Sequence, residues 1–459
     1  MSEANEEQKQ AIDILLTWFN DKEPNTTTAI LSGYAGSGKT FTTNHLIKAL
    51  NLRAKDILVS APTNKAVKVI VNMTGNKGKT IHSMLGLQPN MDLATFTPLT
   101  MKFVKKRDAD MDYRLVIIDE ASMINKALYK EIKERAEDTN IKVLFLGDSL
   151  QLLPVKENTV SQVFTDPIYK AELKNIVRQG EDNPNSEMIM VAIGDILNGR
   201  DTLDDYIENN FQTIFPSELK ERKGFVLASK MRASTVDYFK ADEQNLYLGE
   251  SKYMAYTNVN VMGTTKQIRS KVFGINDYIS KGEQLMGYRA VSLKKGKVME
   301  SIITNSEDYE VIECDRITIQ DGIEGYTLTI RNYYTGQLNY VNVVDAEDKE
   351  SFDRYEGILL GLYFNAKSLG RSAWVKYYDF VNNVLCFEDI ETEVAGRPQK
   401  IKTKDIYYNS GITIHKSQGS TYKNSFVNLS NINRCRNSID RRRLKYVALS
   451  RASNVNIII

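Results

Sequence analysis

Two patterns of apolar and polar positions alternate along the first part of the chain. Short runs of consecutive β-favouring residues occur at Thr28–Ser32, Ile57–Ser60, Leu115–Ile118 and Val143–Leu146. Runs of this kind are strands covered on both faces. Between them, apolar residues recur every three to four positions, as on a helix with one buried side. Residues 4–20 place Ala11, Ile12, Leu15, Leu16, Trp18 and Phe19 on one face, and the segment Phe41–Leu50 does so with Phe41, His45, Leu46 and Leu50. Strands alternating with helices through residue 155 predict an α/β fold with a doubly wound parallel sheet.

Further on, the pattern changes and then returns. Residues 87–108 carry Pro98 and several threonines, which oppose a helix and fit a hairpin. Residues 184–222 read as helical, with Asp201, Asp204, Asp205 and Glu208 forming an acidic, solvated face. A second α/β set opens at Tyr253–Asn258, with a helix to about Arg269, and resumes with strands Phe426–Leu429 and Val455–Ile459. From about 276 to 404 the chain is β-rich, with strands around Val311, Thr327–Ile330 and Tyr340–Val344 and one helical piece at 352–369. We read this part as a mostly β insertion that includes a small barrel.

Composition narrows the class. A chain of 459 residues corresponds to roughly three domains. Hydrophobic content of 42% and charged content of 26% are those of a globular protein. No apolar run approaches the roughly 20 residues that span a bilayer, and the polar start MSEANEEQKQ is not a signal peptide. The three cysteines, Cys314, Cys386 and Cys435, are far apart and make neither a C-x-x-C pair nor an even disulfide set. The expectation is a reduced, cytoplasmic protein without structural zinc or membrane contact. A net charge of +2 gives no global attraction to nucleic acid, so such binding needs a local groove.

Candidate chemistry begins at Gly33-Tyr34-Ala35-Gly36-Ser37-Gly38-Lys39-Thr40, which fits G-x-x-x-x-G-K-[ST] between a strand and a helix. Glycines there let the backbone approach a phosphate, and the helix N-terminus favours an anion. Lys39 would reach the β and γ phosphates and Thr40 would hold Mg²⁺. Downstream, Asp119 and Glu120 end a buried strand, as a Mg²⁺ carboxylate and a carboxylate that orients the attacking water would. Gln151 follows the next strand and is placed to sense a γ-phosphate. Other positions read two ways. Gln8 is a solvated helix residue or an amide that reads adenine. Arg178 is a surface cation or a phosphate ligand. Phe96 and Phe103 pack on the domain or serve the hairpin. The run Arg434, Arg436, Arg441, Arg442, Arg443 and Lys445 touches DNA or lines a solvated face.

The ordered set GYAGSGKT, VSAPTNKA, TIHSMLG, LVIIDEASM, FLGDSLQLLPV, YTN, TIHKSQGST and YVALSRA resembles the successive motifs of superfamily 1 helicases. It is most similar to the 5′–3′ branch that holds the RecD-like and phage Dda-type enzymes. The resemblance implies two RecA-like P-loop domains, 1–177 and 178–275 with 406–459. It also implies a pin hairpin at about 87–108 and an SH3-like insertion at 276–405. ATP and Mg²⁺ would lie between the RecA-like domains. Gln8, Gly36, Ser37, Gly38, Lys39, Thr40 and Gly419 would contact the nucleotide, with Thr40 and Asp119 at the metal. Lys39, Asp119, Glu120, Gln151, Arg178 and Arg451 would carry hydrolysis, Arg451 reaching the γ-phosphate from the second domain. Pro62, Thr63, Asn64, Thr80, His82, Thr257, Asn258, His415, Lys416 and Ser417 would face single-stranded DNA, and Phe96 would split the duplex. The implied activity is ATP-dependent 5′–3′ DNA unwinding by a monomer on forked or tailed DNA. Single-stranded-DNA-binding and replication proteins are further candidate partners. The alternative is a nucleic-acid-stimulated translocase or RNA helicase that does not unwind DNA.

Overall fold

A computed structural model describes residues 4–89, 103–105, 113–177, 183–295, 298–394 and 396–459. Three main sheets organise it. The first has six strands, in the order Lys77–Thr80, Ile57–Ala61, Leu115–Ile118, Lys142–Gly147, Thr28–Gly33 and Tyr169–Leu173. All of its pairings are parallel. The four inner strands are the four apolar runs, and their side chains are almost wholly buried. The two edge strands, with sequences KGKT and YKAEL, carry no apolar run and are half exposed. Helix Glu6–Asn20 packs on this sheet through Ala11, Leu15 and Trp18.

The second sheet is also all parallel, in the order Gly411–Thr413, Lys252–Ala255, Tyr422–Val427, Ala452–Ile458 and Gly224–Leu227. The fold is therefore α/β with two RecA-like halves. The phosphate loop, Pro62–Asn64, Asp119–Glu120, Thr257–Asn258 and His415–Ser417 follow the C-terminal ends of strands, the edge where open α/β sheets bind ligands, whereas Arg451 directly precedes strand Ala452–Ile458.

Strands Leu87–Pro89 and Phe103–Lys105 pair antiparallel and form the base of the expected hairpin. Phe96 lies outside the described residues. The third sheet has six strands between Gln284 and Tyr408, nearly all antiparallel. It closes with Ile406–Tyr408, just past the expected limit of the insertion. The insertion is also more helical than its sequence suggests. Helices Lys349–Leu369 and Arg371–Asn383 meet at Gly370, whose φ of 78° turns the chain. The second helix was hidden by Trp374, Tyr377, Tyr378 and Phe380, aromatics that favour strands on propensity alone. Here they pack against Tyr355 and Tyr363 between the two helices. Among the described residues no helix is long and apolar enough to cross a membrane.

Asp405 anchors this insertion. It is fully buried and accepts from Arg289 Nε at 2.6 Å, from the Cys386 N–H at 2.8 Å and from Lys402 Nζ. Removing it leaves two cations without their carboxylate. Asp405→Ala should therefore cost about 3–5 kcal/mol. Hydrogen exchange is expected to show lost protection across the Gln284–Tyr408 sheet with the Thr28–Leu173 sheet unchanged. Full protection in both would contradict the assignment.

Candidate active site

A cleft of about 580 Å³ lies between the two parallel sheets, lined from one side by Gln8, Gly36, Lys39, Thr40, Asp119, Glu120 and Gln151 and from the other by Gly419 and Arg451. The Gly33–Thr40 loop opens it. Gly36 and Gly38 take φ of 84° and 89°, and a Cβ on Gly38 would stand 2.7 Å from Gln8 Nε2. The helix Lys39–Leu50 starts directly behind, and Lys39, Thr40 and Phe41 of its first turn line the cleft. Lys39 Nζ donates to the carbonyls of Gly33 at 2.7 Å and Tyr34 at 3.0 Å, which draws the ammonium back onto the loop. Ser37 Oγ and Gln151 Oε1 are buried without a hydrogen-bond partner among the described residues. Gln151 lines the cleft, and a polar occupant there would satisfy it.

Gln8 is not a solvated residue, being only 4% exposed. It closes a capping box in which its Oε1 accepts from the Asn5 N–H at 3.1 Å and Asn5 Oδ1 accepts from the Gln8 N–H at 2.9 Å. A backbone donor can bond only the oxygen, so the amide is fixed with its NH₂ toward the loop. Asn5, Phe41, Val69 and Met73 also line this end of the cleft. Sequence reasoning passed over them, although Phe41 directly follows the loop.

Asp119 and Glu120 follow strand Leu115–Ile118. Glu120 has φ 54°, a left-handed backbone that non-glycine residues rarely adopt. Asp119 accepts from the Glu120 N–H at 2.8 Å. Burial raises the Asp119 carboxyl, opposed by that hydrogen bond and by Lys39. Burial and the Asp119 charge push Glu120 up to about 7, against the pull of Arg451 and Lys39. Glu120 is thus poised to exchange a proton near neutral pH.

The second half reaches the same carboxylate. A Cβ on Gly419 would lie 3.2 Å from Glu120 Oε1, so a larger residue would crowd it. Arg451, 3% exposed, sits beyond the helix Ser438–Leu449. Its guanidinium is held by Val447 O at 3.0 Å, Ser420 O at 3.2 Å and Ser450 Oγ at 2.9 Å.

The candidate nucleic-acid residues share one local design. Thr63, Thr80 and Thr257 lie at or just past strand ends and cap the next helix, accepting from the Ala66 N–H at 3.2 Å, the Ser83 N–H at 3.3 Å and the Asn260 N–H at 3.4 Å. Asn64 and Asn258 open two of those helices and are exposed, Pro62 and His82 are half-buried, and His415 is exposed. Partial burial lowers the pKa of His82, which favours its neutral form. Lys416 and Ser417 turn inward. Lys416 Nζ lies 3.5 Å from the Tyr288 ring centre, and Ser417 Oγ donates to Ile414 O at 2.8 Å. Arg178 lies outside the described residues.

Most of the basic run takes neither of its expected roles. Lys445 is buried against Asp204 at 2.7 Å, and Arg441 and Arg442 meet Asp201 at 3.3 and 3.2 Å. The acidic stretch read as solvated is thus partly consumed by the basic one.

Comparison with known proteins follows the same lines. A family model described as an AAA domain matches residues 3–211. The chain is 25% identical over 447 residues to the ATP-dependent DNA helicase dda of Enterobacteria phage T4, covering 92% of this chain and 91% of the relative. It is 26% identical over 456 residues to the ATP-dependent DNA helicase Pif1 of Campylobacter jejuni, covering 93% and 87%. It is 22% identical to the RecBCD enzyme subunit RecD of Buchnera aphidicola, covering 92% and 68%. In fold it resembles a Bacteroides Pif1 helicase solved with ADP-AlF3 and single-stranded DNA, at a TM-score of 0.50 and 17% identity over 100% of this chain and 92% of the other.

Lys39→Ala is expected to lower ATP hydrolysis by at least about 10²-fold, because it removes a fixed cation from the phosphate loop. The melting temperature should stay within a few degrees. Near-normal turnover would show that the loop is not the reacting site.

Proposed function

We propose that this chain, a superfamily 1 helicase of the Dda, RecD and Pif1 kind, hydrolyses ATP between its two halves and uses the resulting opening and closing to move along single-stranded DNA and unwind duplex. The observation that carries this reading is the divided cleft. The phosphate loop and both carboxylates come from the first sheet, and Arg451 and Gly419 come from the second.

Within this reading the side chains have separable tasks. The N–H groups of the loop and Lys39 bind the phosphates, and Gln8 addresses the base. Thr40 and Asp119 line one wall of the cleft and would hold Mg²⁺, which neutralises phosphate charge when bound. Glu120 orients the attacking water and accepts its proton. Gln151 and Arg451 meet the γ-phosphate, and an arginine in that role can contribute about 10³–10⁵ in rate. Arg451 must leave its carbonyl partners to do so, which draws the second half inward. After hydrolysis it returns to them and the cleft opens. A site without differential contacts in two states could not drive movement.

DNA then crosses both halves. The helix N-termini at Asn64 and Asn258, with Pro62, Thr63, Thr80, His82, Thr257 and His415, hold phosphates and sugars without reading sequence. Lys416 and Ser417 support that loop from behind. Phe96 at the hairpin parts the strands, and Arg178 is a second phosphate contact. Domains 1–177, 178–275 with 406–459, and 276–405 are the moving parts of a monomer that travels 5′ to 3′. The T4 relative is named a DNA helicase and the Bacteroides neighbour was solved with single-stranded DNA, which supports DNA as the track.

The test uses fluorescent duplexes of DNA or RNA with 5′ or 3′ single-stranded tails, incubated with the full chain, ATP and Mg²⁺. Separation is expected for 5′-tailed DNA alone. ATP hydrolysis with no strand separation, or separation only of RNA or of 3′-tailed DNA, would overturn the reading.

A further inference from the structure

The helix Ser438–Leu449 of the second half carries Arg451 just past its end, and it also holds the first half in two places. Tyr446 is fully buried, and its hydroxyl uses both of its hydrogen-bonding capacities across the domain boundary. It accepts from the Ala35 N–H of the phosphate loop at 2.8 Å and donates to Asp148 Oδ2. Asp148, 2% exposed, accepts with its other oxygen from the Leu150 N–H at 3.0 Å, which shapes the loop ending in Gln151. One turn back, Arg443 donates to Ser149 O at 2.7 Å and to Gln151 O. Burial and the Asp148 carboxylate keep the Tyr446 phenol protonated, so it stays a donor.

We infer that Tyr446, seconded by Arg443, is a positioning residue for ATP hydrolysis. It sets the register between the phosphate loop, the Asp148–Gln151 loop and the helix that bears Arg451. Gln151 and Arg451 face the cleft from opposite halves, yet the backbone of one and the helix of the other are joined through these bonds. A rigid helix thereby delivers both groups together. Leu150 and Leu152 reinforce the joint by packing into the core of the second half. This role rests on the ATP-site reading above.

The test is made on the full chain with single-stranded DNA present. Tyr446→Phe keeps the ring and removes only the hydroxyl, leaving Asp148 and the Ala35 N–H each short of a partner. We expect kcat for ATP to fall about tenfold or more, the size of one to two lost buried hydrogen bonds at the transition state. KM for ATP and the affinity for a fluorescent ATP analogue should change less than about threefold, since the binding groups stay in place. The double variant with Arg451→Ala should be slower than Arg451→Ala alone by clearly less than the factor Tyr446→Phe costs by itself, because part of that cost runs through the arginine and only the part through Gln151 remains.

Wild-type kcat in Tyr446→Phe, or two defects that multiply, would overturn the proposal. Should Tyr446→Phe fail to fold, Arg443→Met keeps an apolar stem, frees the same loop and must show the same split between kcat and KM. Arg451→Ala at wild-type speed would instead defeat the ATP-site reading itself, which separates the two failures.

Discussion

Two adjacent carboxylates at the end of a buried strand repel one another, and burial penalises the charge on each. That is the condition at Asp119 and Glu120, and much of the architecture answers it. Lys39 offsets the pair from the first half and Arg451 offsets it from the second. The pair is electrostatically complete only where the halves meet. Gly419 eases that meeting, since a Cβ there would stand 3.2 Å from Glu120 Oε1 and crowd it. A chemical requirement for buried acids is thereby converted into a requirement for two domains in contact, and a motor can exploit that dependence.

The same boundary is apolar and ionic as well as catalytic. The core of the second sheet continues into the insertion and takes in Leu150 and Leu152 from the first half. On another side, the helix Asn64–Thr74 reaches the insertion through Lys68 and Glu307 at 2.6 Å and Lys65 and Asp308 at 3.9 Å. That helix begins at candidate DNA-facing residues and also lends Val69 and Met73 to the nucleotide cleft. One helix thus touches the cleft, the candidate DNA-facing loop at its start and the insertion.

How much of this is legible in the residues alone depends on how local each signal is. The phosphate loop, the Asp119–Glu120 pair and the four inner strands are contiguous patterns, and they stand out because a doubly covered strand must be apolar along its length. The edge strands Lys77–Thr80 and Tyr169–Leu173 escape notice because one side meets solvent and their pairing depends on neighbours far away in sequence. Arg371–Asn383 is hidden because aromatic residues favour strands until a second helix gives them a face to pack on. Charge is the least legible property. Arg441, Arg442 and Lys445 form a basic run on paper, but their carboxylate partners at Asp201 and Asp204 lie more than two hundred residues away. Gln8 shows the opposite case, a polar residue at a helix start that is drawn inside by the capping box it forms with Asn5.

The central claim is that nucleotide closes the cleft through Arg451. It is tested most directly by measuring the distance between spin labels at the exposed positions Asp13 and Lys240, one on each half, by pulsed electron resonance. With single-stranded DNA bound, adding a non-hydrolysable ATP analogue and Mg²⁺ should shift the wild-type distribution to a second, narrower population. Arg451→Ala should bind the analogue and stay in the first population. An unchanged wild-type distribution, or an Arg451→Ala protein that shifts as fully as the wild type, would contradict the account.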